Sequence, residues 1–112
     1  MEHAVVVGSD PDGLGEALAE RGVTVSRAAG TANRESLVDA GVKDTDALVV
    51  TDVGLATSIP VARELNESFR VVVYSRDSIP EFARTSAGLV VDPDLMDVDV
   101  VAEELTADHD AA

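Results

Sequence analysis

Residues 46–52 read DALVVTD, with four apolar side chains in succession between polar ones. A strand with one face in water alternates polar and apolar residues, so this unbroken run predicts a strand buried on both faces. Residues 4–7 form a similar run, AVVV, which ends at Gly8. Strands covered on both faces are typical of parallel sheets that carry helices on either side. The two runs therefore predict an α/β fold.

Strand and helix patterns alternate along the rest of the chain. Further strands are predicted over residues 23–26, 70–74 and 88–91. Amphipathic spacing predicts helices over residues 13–21, 33–40, 80–85 and 97–105, and another that begins at a capping Ser58. Five parallel strands joined by helices predict a three-layer, doubly wound, Rossmann-like sheet.

The charge of the chain is strongly acidic, because 22 Asp and Glu stand against 8 Lys and Arg, for a formal net charge of −14. This balance predicts the generic acidic surface of a protein from a salt-rich cytoplasm, such as that of a halophilic archaeon, where salt screens the self-repulsion. The sequence shows no basic patch that could displace counterions from a phosphate backbone. We therefore expect no binding to nucleic acid.

Several function classes are excluded or disfavoured by what the sequence lacks. There is no cysteine, which excludes disulfides, thiolate catalysis and cysteine metal sites. No apolar run approaches the roughly 18 residues of a membrane span, so we expect a cytoplasmic protein without membrane insertion. No Ser/His/Asp, HExxH or P-loop pattern is present, which favours a non-catalytic role. We expect residues 1–106 to form one domain and residues 107–112 an acidic, disordered tail.

Ligands of doubly wound sheets bind at the carboxyl ends of the strands, so the loops that follow the strands form the candidate site. Residues 8–15, GSDPDGLG, follow the first strand and open a helix, as a dinucleotide-binding loop does. Residues 30–50 resemble the middle of TrkA-N (RCK) domains, which are Rossmann modules that regulate potassium transport by binding NAD(H) or adenine nucleotides. The resemblance implies a non-catalytic, ligand-sensing regulatory domain that forms a homodimer.

The predicted ligand-binding residues lie in these loops. They are Gly8, Ser9, Gly13, Gly15, Gly30, Thr31, Thr51, Asp52 and Arg76. The ligand implied by the resemblance is NAD(H) or an adenine nucleotide, and the paired carboxylates of Asp10 and Asp12 favour a bound cation. The glycine loop is two residues longer than that of the family, and these two carboxylates stand where glycine and neutral residues are expected.

The chain also lacks one helix–strand unit of the TrkA-N pattern, which predicts the strand order 2-1-3-4-5. Receiver domains of response regulators share this order. Residues 46–55 resemble the phosphoacceptor strand of receivers, with Asp52 as the acceptor. Residues 71–77 resemble their fourth strand, with Ser75 at the switching position. This second resemblance implies an atypical receiver-like signalling domain.

Receivers also need an acidic pair that binds a metal ion and a lysine after the fifth strand. Asp10 or Asp12 supplies a carboxylate for the first, whereas Asp92-Pro93 stands in place of the lysine. A phosphoryl group on Asp52 would therefore lack its main cationic partner. A third alternative is an interaction scaffold whose nucleotide site has decayed, because both motifs depart from their families.

The candidate side chains also have structural alternatives. Asp residues are common in turns, and Asp52 suits an Asx turn at the end of its strand. Asn33 suits a helix cap, and Tyr74 the edge of the core. Arg76 suits an ion pair with Asp77 or Glu81 at the surface.

Overall fold

A computed structural model describes residues 1–81 and 88–107 of the chain. Five strands form one sheet in the order β2-β1-β3-β4-β5, and all neighbouring strands run parallel. The strands are β1 (His3–Val7), β2 (Thr24–Ala28), β3 (Ala47–Val50), β4 (Arg70–Tyr74) and β5 (Leu89–Val91). The predicted fold class and strand order are therefore confirmed.

Helices connect the strands within the described residues. They are α1 (Leu14–Glu20), α2 (Arg34–Asp39), α3 (Ser58–Leu65) and α4 (Val98–Thr106), with short 3-10 turns at Val42–Asp44 and Val53–Leu55. Residues 82–85 of the predicted helix 80–85 and residues 108–112 of the predicted tail lie outside the described residues. None of the described helices is long and apolar enough to cross a membrane.

The core consists of two layers, one on each face of the sheet. Successive residues of a strand point to opposite faces, so β1 sends Val5 and Val7 to one layer and Ala4 and Val6 to the other. The first layer packs against α2 and α3, and the second against α1 and α4. Residues Ala4–Val7 and Ala47–Val50 are fully buried. The unbroken apolar runs therefore have the two-sided burial predicted for them.

The start of α3 differs from the prediction that Ser58 caps this helix. Ser58 is the first helical residue, and Thr57 precedes it as the residue at the helix boundary. The Ser58 side chain is buried, and its Oγ has no hydrogen-bond partner. A hydroxyl caps a helix by accepting a bond from a backbone N–H two or three residues ahead, and Pro60 offers none at the first of these positions.

Candidate functional site

The candidate site lies at one edge of the sheet, where the carboxyl ends of all five parallel strands meet. The loops after β1, β3, β4 and β5 reach this edge and hold most of the predicted ligand-binding residues. Their side chains, however, form many contacts with the chain itself, and these contacts decide what the site can bind.

Asp10 is the most buried charged residue of this edge, with 1% of its side chain exposed. Its backbone adopts the left-handed conformation, with φ 55°, which Asp tolerates better than most residues. The Oδ1 atom accepts a hydrogen bond from the backbone N–H of Leu14 at 2.9 Å, and Oδ2 accepts one from that of Gly15 at 2.8 Å. Asp10 therefore caps α1 from four residues away, because Gly13 at the helix boundary has no side chain to do so.

The Asp10 carboxylate accepts hydrogen bonds from the first N–H groups of α1, which are the groups against which a dinucleotide-binding fold places its pyrophosphate. Arg27, at the end of β2, lies over the same carboxylate with Nη1 3.5 Å from Oδ2. A Cβ atom on Gly15 would lie 2.9 Å from Arg27 Nη2 and 3.1 Å from Asp10 Oδ2. Gly15 therefore makes room for the chain's own carboxylate, and its role toward a nucleotide stays a prediction.

Thr51 connects the loop after β1 with the end of β3. Its Oγ1 donates to the carbonyl oxygen of Val7 and accepts from the backbone N–H of Asp10, both at 3.1 Å. Gly8 lies directly beside this hydroxyl with φ 111°, and a Cβ on Gly8 would overlap Thr51 Oγ1. The packing of the two loops therefore accounts for a glycine at position 8 and a hydroxyl at position 51. Contacts of Gly8 and Thr51 with a ligand stay predictions.

Asp52 is exposed at the end of β3, and its Oδ1 accepts a hydrogen bond from the backbone N–H of Gly54 at 2.9 Å. This is the Asx turn that the sequence offered as an alternative, and it is confirmed. This bond uses one of the two carboxylate oxygens, so the turn by itself does not block chemistry at the exposed Asp52. Its role as a phosphoacceptor stays a prediction.

Arg76 joins three loops of the carboxyl edge. Its Nη1 and Nη2 donate to the two carboxylate oxygens of Asp12 at 3.0 and 3.2 Å, and its Nε donates to Asp94 Oδ1 at 2.9 Å. Hydrogen bonds to these two carboxylates raise the pKa of Arg76, which is therefore always charged. The expected ion pair with Asp77 or Glu81 is wrong, because the loops after β1 and β5 bring other carboxylates within reach of the guanidinium.

The remaining predicted residues are more open. Ser9, Gly30 and Thr31 are exposed, and no atom lies within 4 Å of a Cβ built on Gly30. Gly13 has φ 74°, and its N–H donates to the carbonyl oxygen of Asp10 at 3.1 Å, which closes the turn before α1. Ser9 and Thr31 are free to contact a ligand, but neither lies in a hydrogen-bond network that would position it.

Two structural alternatives at this edge are confirmed. Asn33 caps α2, with its Oδ1 accepting from the backbone N–H of Ser36 at 2.9 Å. Tyr74 is buried at the end of β4, and its hydroxyl donates to the carbonyl oxygen of Met96 at 2.9 Å. Burial, and next to it the charge of Asp12, raises the pKa of Tyr74. Tyr74 therefore holds the loop after β5 and is not available to stack on a base.

The carboxylates of the described residues do not gather into a metal site, since no group of three or more His, Asp or Glu side chains there has the required geometry. Asp10 uses both oxygens for backbone N–H groups, and Asp12 uses both for Arg76. Sequence reasoning missed the contributions of Arg27 and Asp94. Each follows a predicted strand, and that position could have identified it as a site residue. The neighbouring sequence, however, does not identify the residue that each one binds.

The strand order and the polar edge define a doubly wound α/β domain of the kind found in receivers. An orphan response regulator of H. pylori has a similar structure, with a TM-score of 0.70 and 14% identity over 93% of this chain and 92% of that one. An atypical orphan response regulator described as having a phosphorylation-independent regulatory mechanism gives 0.65 and 16%, over 91% and 90%. The TrkA-N domain of the inner membrane protein ybaL from Escherichia coli gives 0.54 and 20%, over 95% and 97%. At these identities the likeness shows the fold.

The chain belongs to DUF7126, a family of unknown function, whose model matches residues 4–105. No curated protein sequence matches the chain. Proteins of both families that the sequence resembles therefore share the fold of this chain. The sequence placed the TrkA-N resemblance first, whereas the receiver-like structures have higher TM-scores than the TrkA-N domain.

Proposed function

We propose that this chain is a non-catalytic, receiver-like regulatory domain that acts through protein contacts and does not depend on phosphorylation of Asp52. The observation that carries the proposal is the state of the carboxylates beside Asp52. A receiver needs free carboxylate oxygens to bind the metal ion that assists phosphoryl transfer. Here Asp10 caps a helix and Asp12 binds Arg76, so their oxygens are already hydrogen-bonded.

The distribution of positive charge supports the same proposal. A phosphoryl group on Asp52 would need a cation to offset its charge. Arg76 already holds two carboxylates, and Asp92-Pro93 follows β5 where a receiver has its lysine. The fold similarity to orphan response regulators, one of them described as phosphorylation-independent, agrees with a domain that signals without this chemistry.

Nucleotide sensing of the TrkA-N type is supported less well. Phosphate would have to displace the Asp10 carboxylate from two buried N–H groups, and the remaining acidic side chains of the edge would repel it. Binding of NAD(H), of an adenine nucleotide or of a cation therefore stays a prediction, as do the homodimer, the cytoplasmic location and the halophilic origin. The interaction scaffold with a decayed nucleotide site also stays an alternative, and it too predicts no response to nucleotides or to beryllofluoride.

The test is treatment of the chain with acetyl phosphate and Mg²⁺ in about 2 M KCl, a concentration that screens the acidic surface, followed by intact-mass analysis. We expect no phosphoryl adduct, whereas a receiver domain that retains its lysine and acidic pair, treated in parallel, acquires one. Thermal unfolding with beryllofluoride, NAD(H), ATP and AMP is the second readout, and we expect no shift in the midpoint.

Two results would contradict the proposal. A phosphoryl adduct that is absent from Asp52→Asn would identify Asp52 as an acceptor after all. A nucleotide that raises the unfolding midpoint of the native chain would instead favour the TrkA-N interpretation. At 100 times its dissociation constant a ligand stabilises by about 2.7 kcal/mol, which a domain of this size reports clearly.

A further inference from the structure

We propose that the loop between β5 and α4, together with the start of α4, docks a basic segment of a partner protein through an apolar anchor. We call residues 92–100 the Leu95 surface. The inference rests on the proposed function, because it names the kind of partner that a phosphorylation-independent domain would contact. Three observations carry it: exposed apolar side chains, a loop that is held in place, and the charges around them.

The Leu95 surface exposes apolar side chains at three of six consecutive positions. Leu95 is 85% exposed, Val100 50% and Met96 37%. Single exposed apolar residues are ordinary on protein surfaces, but a group of large ones marks an interaction site more often than chance. Leu95 contributes little to the core at this exposure, so packing of the domain does not explain it.

The loop that presents Leu95 is held by its own hydrogen bonds. The backbone N–H groups of Leu95 and Met96 both donate to the carbonyl oxygen of Asp92, at 2.9 and 3.1 Å, and Asp92 Oδ1 accepts from the N–H of Asp94 at 2.8 Å. Arg76 binds the Asp94 carboxylate, and Tyr74 binds the Met96 carbonyl oxygen. A side chain on a fixed loop loses less entropy on binding than one on a mobile loop.

The charges of the surface select the partner. Asp97 and Asp99 are exposed beside the apolar residues. Arg21 Nη2 donates to the carbonyl oxygen of Asp99 at 3.4 Å, but among the described residues neither carboxylate forms an ion pair. A second copy of this chain would bring the same carboxylates against them, and each copy carries a net charge of −14. A partner with Lys or Arg around an apolar residue would satisfy both features. The observations therefore favour a basic partner over self-association.

The probe is a fluorescent synthetic peptide of about 14 residues, or four helical turns, with Leu on one face and Lys on the other. Its binding to the full chain is measured by anisotropy at low and high KCl. We expect Leu95→Ala to weaken binding about tenfold, as truncation of an interface anchor does. Val100→Ala should weaken it about threefold, whereas Val38→Ala makes the same change on α2 at a residue 38% exposed and should leave it unchanged.

The charge contribution is tested with a matched pair of variants. Asp97→Asn and Asp39→Asn each remove one negative charge from exposed positions, but only the first lies on the Leu95 surface. We expect Asp97→Asn to weaken binding several-fold at low salt and Asp39→Asn to have no effect. Unfolding midpoints of all variants should match the native chain, which excludes misfolding as a cause.

Two outcomes would overturn the inference. Equal effects of Asp97→Asn and Asp39→Asn, with no effect of Leu95→Ala, would mean that the peptide is attracted by net charge alone. Sedimentation of the chain as a dimer that Leu95→Ala dissociates would make a second copy the occupant. Either result leaves the acetyl phosphate experiment unaffected, so a failure here is distinguishable from a failure of the proposed function.

Discussion

The connections from β1 to α1 and from β3 to α3 lie side by side at the same edge of the sheet, but they differ in whether their buried polar groups are hydrogen-bonded. The first buries the Asp10 carboxylate and surrounds it with donors from Leu14, Gly15 and Arg27. The second leads into α3, where the buried hydroxyl of Ser58 has no partner. The buried carboxylate at the start of α1 is therefore fully hydrogen-bonded, whereas the buried hydroxyl at the start of α3 is not.

This difference shows what an acidic residue can do in residues 8–15, the loop that resembles a glycine-rich nucleotide-binding loop. Asp10 stands where a nucleotide-binding loop has glycine, and from sequence it would only repel phosphate. In the structure it accepts hydrogen bonds from the first N–H groups of α1, which a dinucleotide-binding fold offers to phosphate. A carboxylate at this position thus stabilises the helix start without any ligand.

The largest effect is expected from Asp10→Ala, which removes the carboxylate and leaves two buried N–H groups without acceptors. Hydrogen bonds to charged groups contribute about 1.5–3 kcal/mol each, so we expect the loss of two to cost about 3–6 kcal/mol of unfolding free energy. Urea unfolding in KCl measures it. Asp12→Ala is the control from the same loop, and it should cost much less, because the Asp12 carboxylate is partly exposed.

Asp10→Asn sharpens the same test. The two N–H groups approach different oxygens of Asp10, so an Asn must place its own amide N–H₂ against one of them. We therefore expect Asn to restore less than half of the stability that Ala loses. Full restoration by Asn would show that one acceptor is enough to stabilise the start of α1. The contrast with the start of α3 would then not depend on the buried carboxylate.

Much of the fold follows from local signals in the sequence. The apolar runs 4–7 and 47–50 predict buried strands because no other element of that length is apolar on both sides. Asn33 and Asp52 were also predictable in their structural roles, since each accepts a bond from an N–H two or three residues ahead. Local patterns of this kind depend on short chain distances, which the sequence displays directly.

The contacts that close the site could not be predicted in the same way. Arg76 binds Asp12, 64 positions away in sequence, and Asp94, 18 positions away. Among 22 acidic residues nothing local distinguishes these two, and only the arrangement of the folded loops selects them. The sequence predicts a turn or a metal site at Asp10, whereas the structure makes it a helix cap with a left-handed backbone, which a sequence pattern permits but does not specify.

Asp46 allows the effect of hydrogen bonding to be measured without that of burial. Like Asp10 it accepts two backbone N–H groups, but it is exposed and lies at the opposite edge of the sheet. Its Oδ2 accepts the backbone N–H groups of Glu2 at 2.8 Å and of His3 at 3.0 Å, and these bonds lower the pKa of Asp46. We expect Asp46→Ala to cost about 1 kcal/mol, less than Asp10→Ala, since water can replace the lost acceptor.

The lowered pKa also predicts a pH dependence. A carboxyl whose pKa is lower in the folded state stabilises the fold at pH values above its ordinary value of 3.8. That contribution declines as the pH falls from there through the folded-state pKa. The difference in unfolding free energy between the native chain and Asp46→Asn should therefore be constant near neutral pH and shrink in acid. A difference that grows in acid would contradict the assignment.

Arg76→Ala should have a smaller effect on stability, although the Arg76 guanidinium makes three hydrogen bonds to carboxylates. Its side chain is 49% exposed, and exposed ion pairs contribute little to stability because water and salt screen the charges. Screening at molar salt should remove most of this. Urea unfolding of the native chain and of Arg76→Ala should differ at low KCl and converge at high KCl. A difference that persists at high KCl would instead show that Arg76 stabilises these loops by more than screened ion pairs.

Ser58→Ala should have the smallest effect, and its sign is the informative quantity. Removing a buried hydroxyl normally costs a hydrogen bond, but Ser58 Oγ has none to lose, so we expect between no change and a gain of about 1 kcal/mol. Thr45→Val is the control, because the buried Thr45 hydroxyl reaches the carbonyl oxygens of His3 and Ala47, both at 3.1 Å, and its loss should cost about 1 kcal/mol. If Ser58→Ala were as costly as Thr45→Val, Ser58 would bind a partner such as a buried water. The start of α3 would then be as fully hydrogen-bonded as the start of α1.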